Sequence, residues 1–181
     1  WSSDVCSSDL FDILNLKSNI ASYYSIRMKK LNDRRLESLF YDNCLISGGC
    51  IASLFHDLNP NDVDLYCKSE AAIIEIKSYI ESHEQYIKVY DSYHFTQKAI
   101  SANAITLIND VQFIFMDTWE NCKKNFDFVH CAVSYDLALQ KLFISETQLN
   151  SIKNKLLINR STVKPKEERI EKYLARGWKQ M

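Results

Sequence analysis

Between Ser18 and Tyr41 the chain has neither proline nor glycine. Ile20, Tyr23, Tyr24, Leu31, Leu36, Leu39 and Phe40 form an irregular apolar stripe at helical spacing. Arg27, Lys29, Lys30, Arg34 and Arg35 fall largely off that stripe and read as a solvated face. Cys44 to Ser47 then reads as a short buried strand, and Gly49 to Asp57 as the helix after it. Leu58-Asn59-Pro60-Asn61 is turn chemistry and Val63 to Cys67 a second strand. Ser69 caps a helix running to about Ser82, with Ile73, Ile76 and Ile80 along one face.

The next stretch is β-like. Tyr86 to Tyr90, Phe95 to Ile100, Ala104 to Ile108 and Val111 to Met116 are predicted strands, and Asn109-Asp110 has the length of a two-residue hairpin turn. Trp119 to Asn125 suggests a short helix, Phe128 to Val133 a strand and Asp136 to Glu146 a helix. A last helix opens at Pro165 and runs to about Arg176 before Gly177. This order predicts an α/β (α+β) domain built on a mixed, partly antiparallel sheet flanked by helices.

The 181 residues suffice for one sizeable core, and no apolar run approaches the roughly 20 residues that span a bilayer. Six cysteines show neither a CxxC pair nor metal-ligand spacing, so they read as free thiols in a reducing compartment. The first ten residues, Trp1 to Leu10, are what the sequencing-adapter string TGG AGT TCA GAC GTG TGC TCT TCC GAT CT encodes. They are expected to be foreign to the protein, leaving its true N-terminus outside this sequence. Charge is uneven. Residues 153–181 hold nine Lys or Arg against three Glu, while residues 11–152 are net acidic. The basic segment suits contact with phosphate, and equally a solvated helix surface. A domain over 11–150 with a basic helical extension over 151–181 is the expected organisation.

The chemistry concentrates in Ser47-Gly48-Gly49 and Asp62-Val63-Asp64. Alternation along a strand sends Asp62 and Asp64 to one side and Val63 and Leu65 to the other. Two carboxylates so close repel unless a positive charge separates them, and Mg²⁺ is typically held by one or two carboxylates plus substrate phosphates. Glycines let a backbone approach a phosphate.

This stretch resembles the nucleotidyltransferase superfamily that includes DNA polymerase beta, and within it the head domain of poly(A) polymerases and CCA-adding enzymes. That family carries Gly-Gly-x-Val-Arg-Asp, a turn with a proline in the place of Pro60, and then Asp-x-Asp at the same spacing. Its second motif, Arg-Arg-Asp-Phe-Thr-Ile-Asn-Ala, is similar to Asn125-Phe126-Asp127-Phe128-Val129-His130-Cys131-Ala132. The segments 103–107, 111–114 and 126–131 also look like a group of uncharacterised tailed-phage proteins.

The resemblance implies a polymerase-beta-like nucleotidyltransferase fold and Mg²⁺- or Mn²⁺-dependent transfer of a nucleotide from an NTP to a hydroxyl of RNA (tRNA-like) or of a protein. It implies work in the cytoplasm, that of the host if phage-encoded. Asp62 and Asp64 become metal ligands. Asp127 becomes the third carboxylate, with Asp117 as its competitor, and Ser47, Gly48, Gly49, Lys124 and Arg169 become nucleotide or phosphate contacts. The family's Arg-Asp after the glycines is Ala52-Ser53 here, and its arginine pair is Asn125-Phe126. Lys cannot reproduce the bidentate phosphate contacts so lost. An alternative reading therefore stands beside the enzyme: a catalytically weakened relic serving as a nucleotide-binding, nucleic-acid-binding or assembly module in a phage.

Overall fold

The computed structural model describes residues 7–91, 96–160 and 163–181. The amphipathic stretch at the start is two helices, α1 (Ser7–Leu31) and α2 (Arg34–Asn43). They break at Asn32, which takes a left-handed φ of 51°, and at Asp33, whose carboxylate accepts from the Leu36 amide as an N-cap. α1 buries Ile13, Leu16, Ile20, Tyr24, Met28 and Leu31, a stripe at i+3 and i+4 spacing. Arg27 does not lie on the solvated face. It is buried, and its guanidinium donates to the carbonyls of Asn109 at 2.7 Å and Pro60 at 3.0 Å.

The chain continues through β1 (Cys44–Ser47), α3 (Gly49–Phe55), β2 (Val63–Cys67), α4 (Glu70–Ser82), β3 (Val89–Asp91), β4 (Thr96–Lys98), β5 (Ala104–Thr106) and β6 (Val111–Ile114). A short helix α5 (Trp119–Cys122) and two 3₁₀ turns follow, then β7 (Ser134–Asp136), β8 (Lys141–Phe143), α6 (Glu146–Asn154), β9 (Leu156–Leu157), α7 (Glu167–Leu174) and β10 (Lys179–Gln180). Six strands form one sheet in the order β5-β6-β2-β1-β7-β8, with β2 and β6 parallel and the other neighbours antiparallel. The mixed, partly antiparallel sheet flanked by helices is the architecture the pattern predicts.

One face of the sheet packs under the helices. Cys44, Ile46, Val63, Leu65, Cys67, Val111 and Phe113 are at most 1% exposed and join the main core with residues of α1 to α4. The other face carries a small cluster of Leu45, Tyr66, Trp119 and Cys122, with Ile114 and Phe126 against it, and beside it Asp64 and Gln112. The five cysteines among the described residues are free and buried, and the Cys44 and Cys67 thiols share a hydrogen bond at 3.6 Å without a disulfide. Cys6 lies outside the described residues, as does Phe95 at the start of a predicted strand. No described helix is long and apolar enough to cross a membrane.

Three further expectations fail. Residues 129–132, read as strand, are a 3₁₀ turn, and the strand comes after them at Ser134–Asp136. The helix expected over 136–146 is the β7–β8 hairpin, because Asp136 Oδ1 accepts from the Leu139 amide and Gln140 adopts a φ of 49°. The final helix opens at Glu167, not Pro165, though Gly177 does end it with a φ of 81°.

Candidate functional site

β1 ends at the turn that matters most. Ser47 pairs in register with Asp64 of β2, so the two residues stand side by side. Gly48 follows with a φ of 93°, a conformation L side chains rarely adopt, and its amide donates to the Cys131 carbonyl at 3.2 Å. A Cβ on Gly48 would lie 2.8 Å from Asp64 Oδ2. The glycine is therefore required twice, by its backbone angle and because the Asp64 carboxylate fills the space a side chain would take.

Asp64 is half-buried, and its Oδ1 is buried with no hydrogen-bond partner among the described residues. Burial, then the charge of Asp62, pushes its carboxyl up to about 7, against the opposing fields of Arg169 and Lys172. Asp62 itself is exposed on the loop entering β2. That loop is pinned on both sides. Arg27 holds the Pro60 carbonyl and Asp110, the Tyr23 hydroxyl donates to Pro60 at 2.6 Å, and the Val63 amide donates to Asp110 at 3.1 Å. Among the described residues no group of three or more His, Cys, Asp or Glu side chains converges as a metal cluster. The acid pair stands alone.

α7 closes the site from the other side. The Tyr173 hydroxyl lies 3.1 Å from where a Gly49 Cβ would be and 3.2 Å from the Cys131 sulfur. Arg169 Nε sits 2.5 Å from Asp127 Oδ2, an ion pair by distance rather than an aligned hydrogen bond, and its terminal nitrogen reaches Cys131 at 3.4 Å. Behind it His130 is fully buried, stacked 4.1 Å from the Trp178 ring and 5.6 Å from Phe128, with Tyr173 edge-on at 4.9 Å. Neither of its ring nitrogens has a partner among the described residues. Burial, helped by Arg169, lowers its pKa to about 3 and keeps the imidazole neutral. The indole of Trp178 packs rather than offering a stacking surface.

The family described as Gabija anti-defense 2 family protein matches residues 16–155 of this chain. The chain belongs to that family. Within it, a protein of Bacillus phage SPbetaL7 named Gabija anti-defense 2 is 26% identical over 146 residues, which cover 79% of this chain and 36% of that protein. The chain thus spans about a third of the length of the curated relative it matches. Solved structures similar to it include a CCA-adding enzyme in an apo form, at 18% identity and a TM-score of 0.47 over 72% of this chain and 33% of that one. Another is the Thermotoga maritima CCA-adding enzyme complexed with tRNA, at 15% identity and a TM-score of 0.44, covering 70% of this chain and 33% of that one. A CCA-adding enzyme with CTP matches at 15% identity and a TM-score of 0.44, over 75% and 34% of the two chains.

Of the residues expected at the site, Gly48, Gly49, Asp62 and Asp64 meet at one turn, and Arg169 and Asp127 join them through α7 and Cys131. Ser47 is placed differently. Its hydroxyl is buried against the Val133 carbonyl at 2.7 Å and the Cys131 carbonyl at 3.1 Å, so it braces β7 instead of facing a ligand. Lys124 is exposed on the 3₁₀ turn after α5, and its ammonium reaches Asn121 at 3.1 Å rather than any of these residues. Asp127 is held by Arg169 and by the Phe128 amide at 2.9 Å. Asp117, its competitor, stands just before α5 and accepts from the Thr118 amide at 2.6 Å and the Asn121 side chain at 3.0 Å.

Two residues escaped the sequence reading. Tyr173 covers Gly49. Gln112 is in register with Asp64 on the parallel neighbour β6, so an amide stands beside the acid, donating to Thr106 at 3.2 Å. Its polar position between Val111 and Phe113 was the available signal.

Proposed function

We propose that this chain is a nucleotidyltransferase head domain that uses a divalent cation to transfer a nucleotide from an NTP to a hydroxyl of an RNA, tRNA-like or otherwise, or of a protein. That transfer would be the chemical means by which a phage protein of this family opposes the Gabija defence. The observation that carries the reading is the Asp64 carboxylate lodged against the positive-φ Gly48, with Asp62 beside it and one carboxylate oxygen left without a partner. An unpartnered oxygen in a half-buried site invites either a proton or a cation.

Asp62 and Asp64 form a hard-oxygen pair of the kind that holds Mg²⁺ or Mn²⁺ together with substrate oxygens. When bound, such an ion lowers the pKa of an attacking hydroxyl and offsets phosphate charge. The chain's own residues supply the rest. Gly48 leaves the carboxylate room, Arg27 fixes the loop carrying Asp62, and α7 presents positive charge opposite the pair.

The test mixes the purified chain with labelled ATP or CTP, Mg²⁺, and either a tRNA pool or a cell extract. Label entering RNA or protein, and lost in Asp62→Ala and Asp64→Ala, supports the enzyme. No incorporation, together with no metal-dependent NTP binding, rejects it. A second reading, the non-catalytic nucleotide- or nucleic-acid-binding module, is favoured by Gln112 standing where a further carboxylate would strengthen the site and by Asp127 being neutralised by Arg169. NTP binding without transfer to any acceptor supports that reading.

A further inference from the structure

We propose that α7 and the turn after it form the triphosphate-binding half of the site, with Lys172 and Arg176 contacting the phosphate chain and Arg169 anchoring the helix. This rests on the nucleotidyl-transfer reading and says where its polyphosphate lies. The spacing of 169, 172, 173 and 176 places these residues on one side of the helix and the turn that continues it. That side is tied to the glycine turn at two points, through Tyr173 over Gly49 and through Arg169 against Asp127 and Cys131.

Between them runs a depression of about 330 Å³ lined by Gly49, Ser53, Asn61, Lys155, Tyr173 and Arg176, among others. Asp62, Asp64 and Lys172 do not line it, but Asn61, which does, directly precedes Asp62. Lys172 and Arg176 are exposed, and neither forms an ion pair among the described residues. Arg169 and Lys172 are also the two cations whose fields reach the Asp64 carboxylate. Glu167 and Glu171 fall outside this spacing, whereas the exposed Glu168 stands one turn before Lys172 at the edge of it.

The arrangement answers a chemical deficit. Ala52 and Ser53 stand where an arginine would contact phosphate, and the depression beside them is instead rimmed by Lys155 and Arg176. Lys172 and Arg176 would each give a polyphosphate a charge-assisted contact, while Asp62 and Asp64 are the residues that would hold its cation.

The experiment titrates the full chain, in Mg²⁺, with inorganic tripolyphosphate, with ATP and with a single-stranded RNA oligomer in separate calorimetric arms. Lys172→Gln and Arg176→Gln are solvent-exposed changes that leave the fold intact, and each should weaken tripolyphosphate and ATP about tenfold. Lys29→Gln, an exposed cation in the last turn of α1 that does not line the depression, should change neither. Unaltered tripolyphosphate affinity in the double variant overturns the proposal, and so does an equal loss in Lys29→Gln. So does a loss confined to RNA. The outcome separates from that of the transfer assay. Transfer with undiminished tripolyphosphate binding in the double variant sinks only this assignment, whereas lost binding without any transfer by the wild type sinks only the enzyme.

Discussion

A half-buried acid and a buried imidazole should pull the pH dependence of stability in opposite directions. Asp64 has its folded pKa raised to about 7 from an ordinary 3.8. Between those values the folded state holds a proton that the unfolded state lacks, so Asp64 adds stability as pH falls and loses it as pH rises through 7. His130 has its folded pKa lowered to about 3 from 6.5. Between those values the unfolded state holds the extra proton, so stability is whole above 6.5 and drains as pH falls. In the shared window the two slopes cancel. At about 1.4 kcal/mol per pH unit for one proton, integration from pH 7 to pH 5 gives each group about 2 kcal/mol. His130→Phe keeps the stacked cage and leaves Asp64 unopposed, so its stability should rise by about 2 kcal/mol over that acidification. Asp64→Asn leaves His130 unopposed and should fall by a similar amount. Urea denaturation in chelator, read by far-ultraviolet circular dichroism at pH 7 and pH 5, measures both against the wild type. Parallel profiles for the three proteins would refute the assignment of these two carriers.

Gly48→Ala meets a φ of 93° and a carboxylate oxygen 2.8 Å away, so it should cost about 1–3 kcal/mol in denaturation and remove nucleotide transfer. Adding Asp64→Ala should recover only the clash, leaving the backbone strain. Gly49→Ala would crowd the Tyr173 hydroxyl at 3.1 Å, and Tyr173→Phe in the same chain should recover most of the lost melting temperature. Ser47→Ala takes the hydroxyl from the Val133 carbonyl, while the Cys131 carbonyl keeps the Gly48 amide, and should lower stability by about 1 kcal/mol while leaving NTP affinity unchanged in calorimetry, a result contrary to a phosphate-binding hydroxyl. Mg²⁺ should raise the melting temperature of the wild type at pH 7, and Asp62→Ala should abolish that gain.

Much of the site was legible because it is local. Glycines before a helix, and two acids spaced by one residue on an apolar strand, write their geometry into a few adjacent letters. Val63–Cys67 and the Ser69-capped α4 were readable for the same reason. The β7–β8 hairpin was not. Leu139 and Leu142 stand at helical i, i+3 spacing with no glycine or proline between residues 136 and 146, and the side chain of Asp136 accepting from the Leu139 amide turns the chain. The apolar run at 128–132 was ambiguous between strand and helix at that length, and burial settled it as a tight turn. Asn32-Asp33 did carry a readable break, since asparagine tolerates the left-handed region and aspartate caps. The role of Arg27 was hidden because its partners, Pro60 and Asn109, lie 33 and 82 residues away. α7 was found as a helix, but nothing in its letters told where it docks.

That docking has a temporal consequence. The acids and glycines lie within residues 48–64, whereas the helix facing them begins at Glu167. A nascent chain emerging from the ribosome displays its carboxylate pair long before the cations arrive. Until α7 is synthesised Gly49 lacks its tyrosine, and until Trp178 follows His130 lacks its indole lid. The proposed cleft would therefore stay half-built on the ribosome until α7 follows the acid pair out.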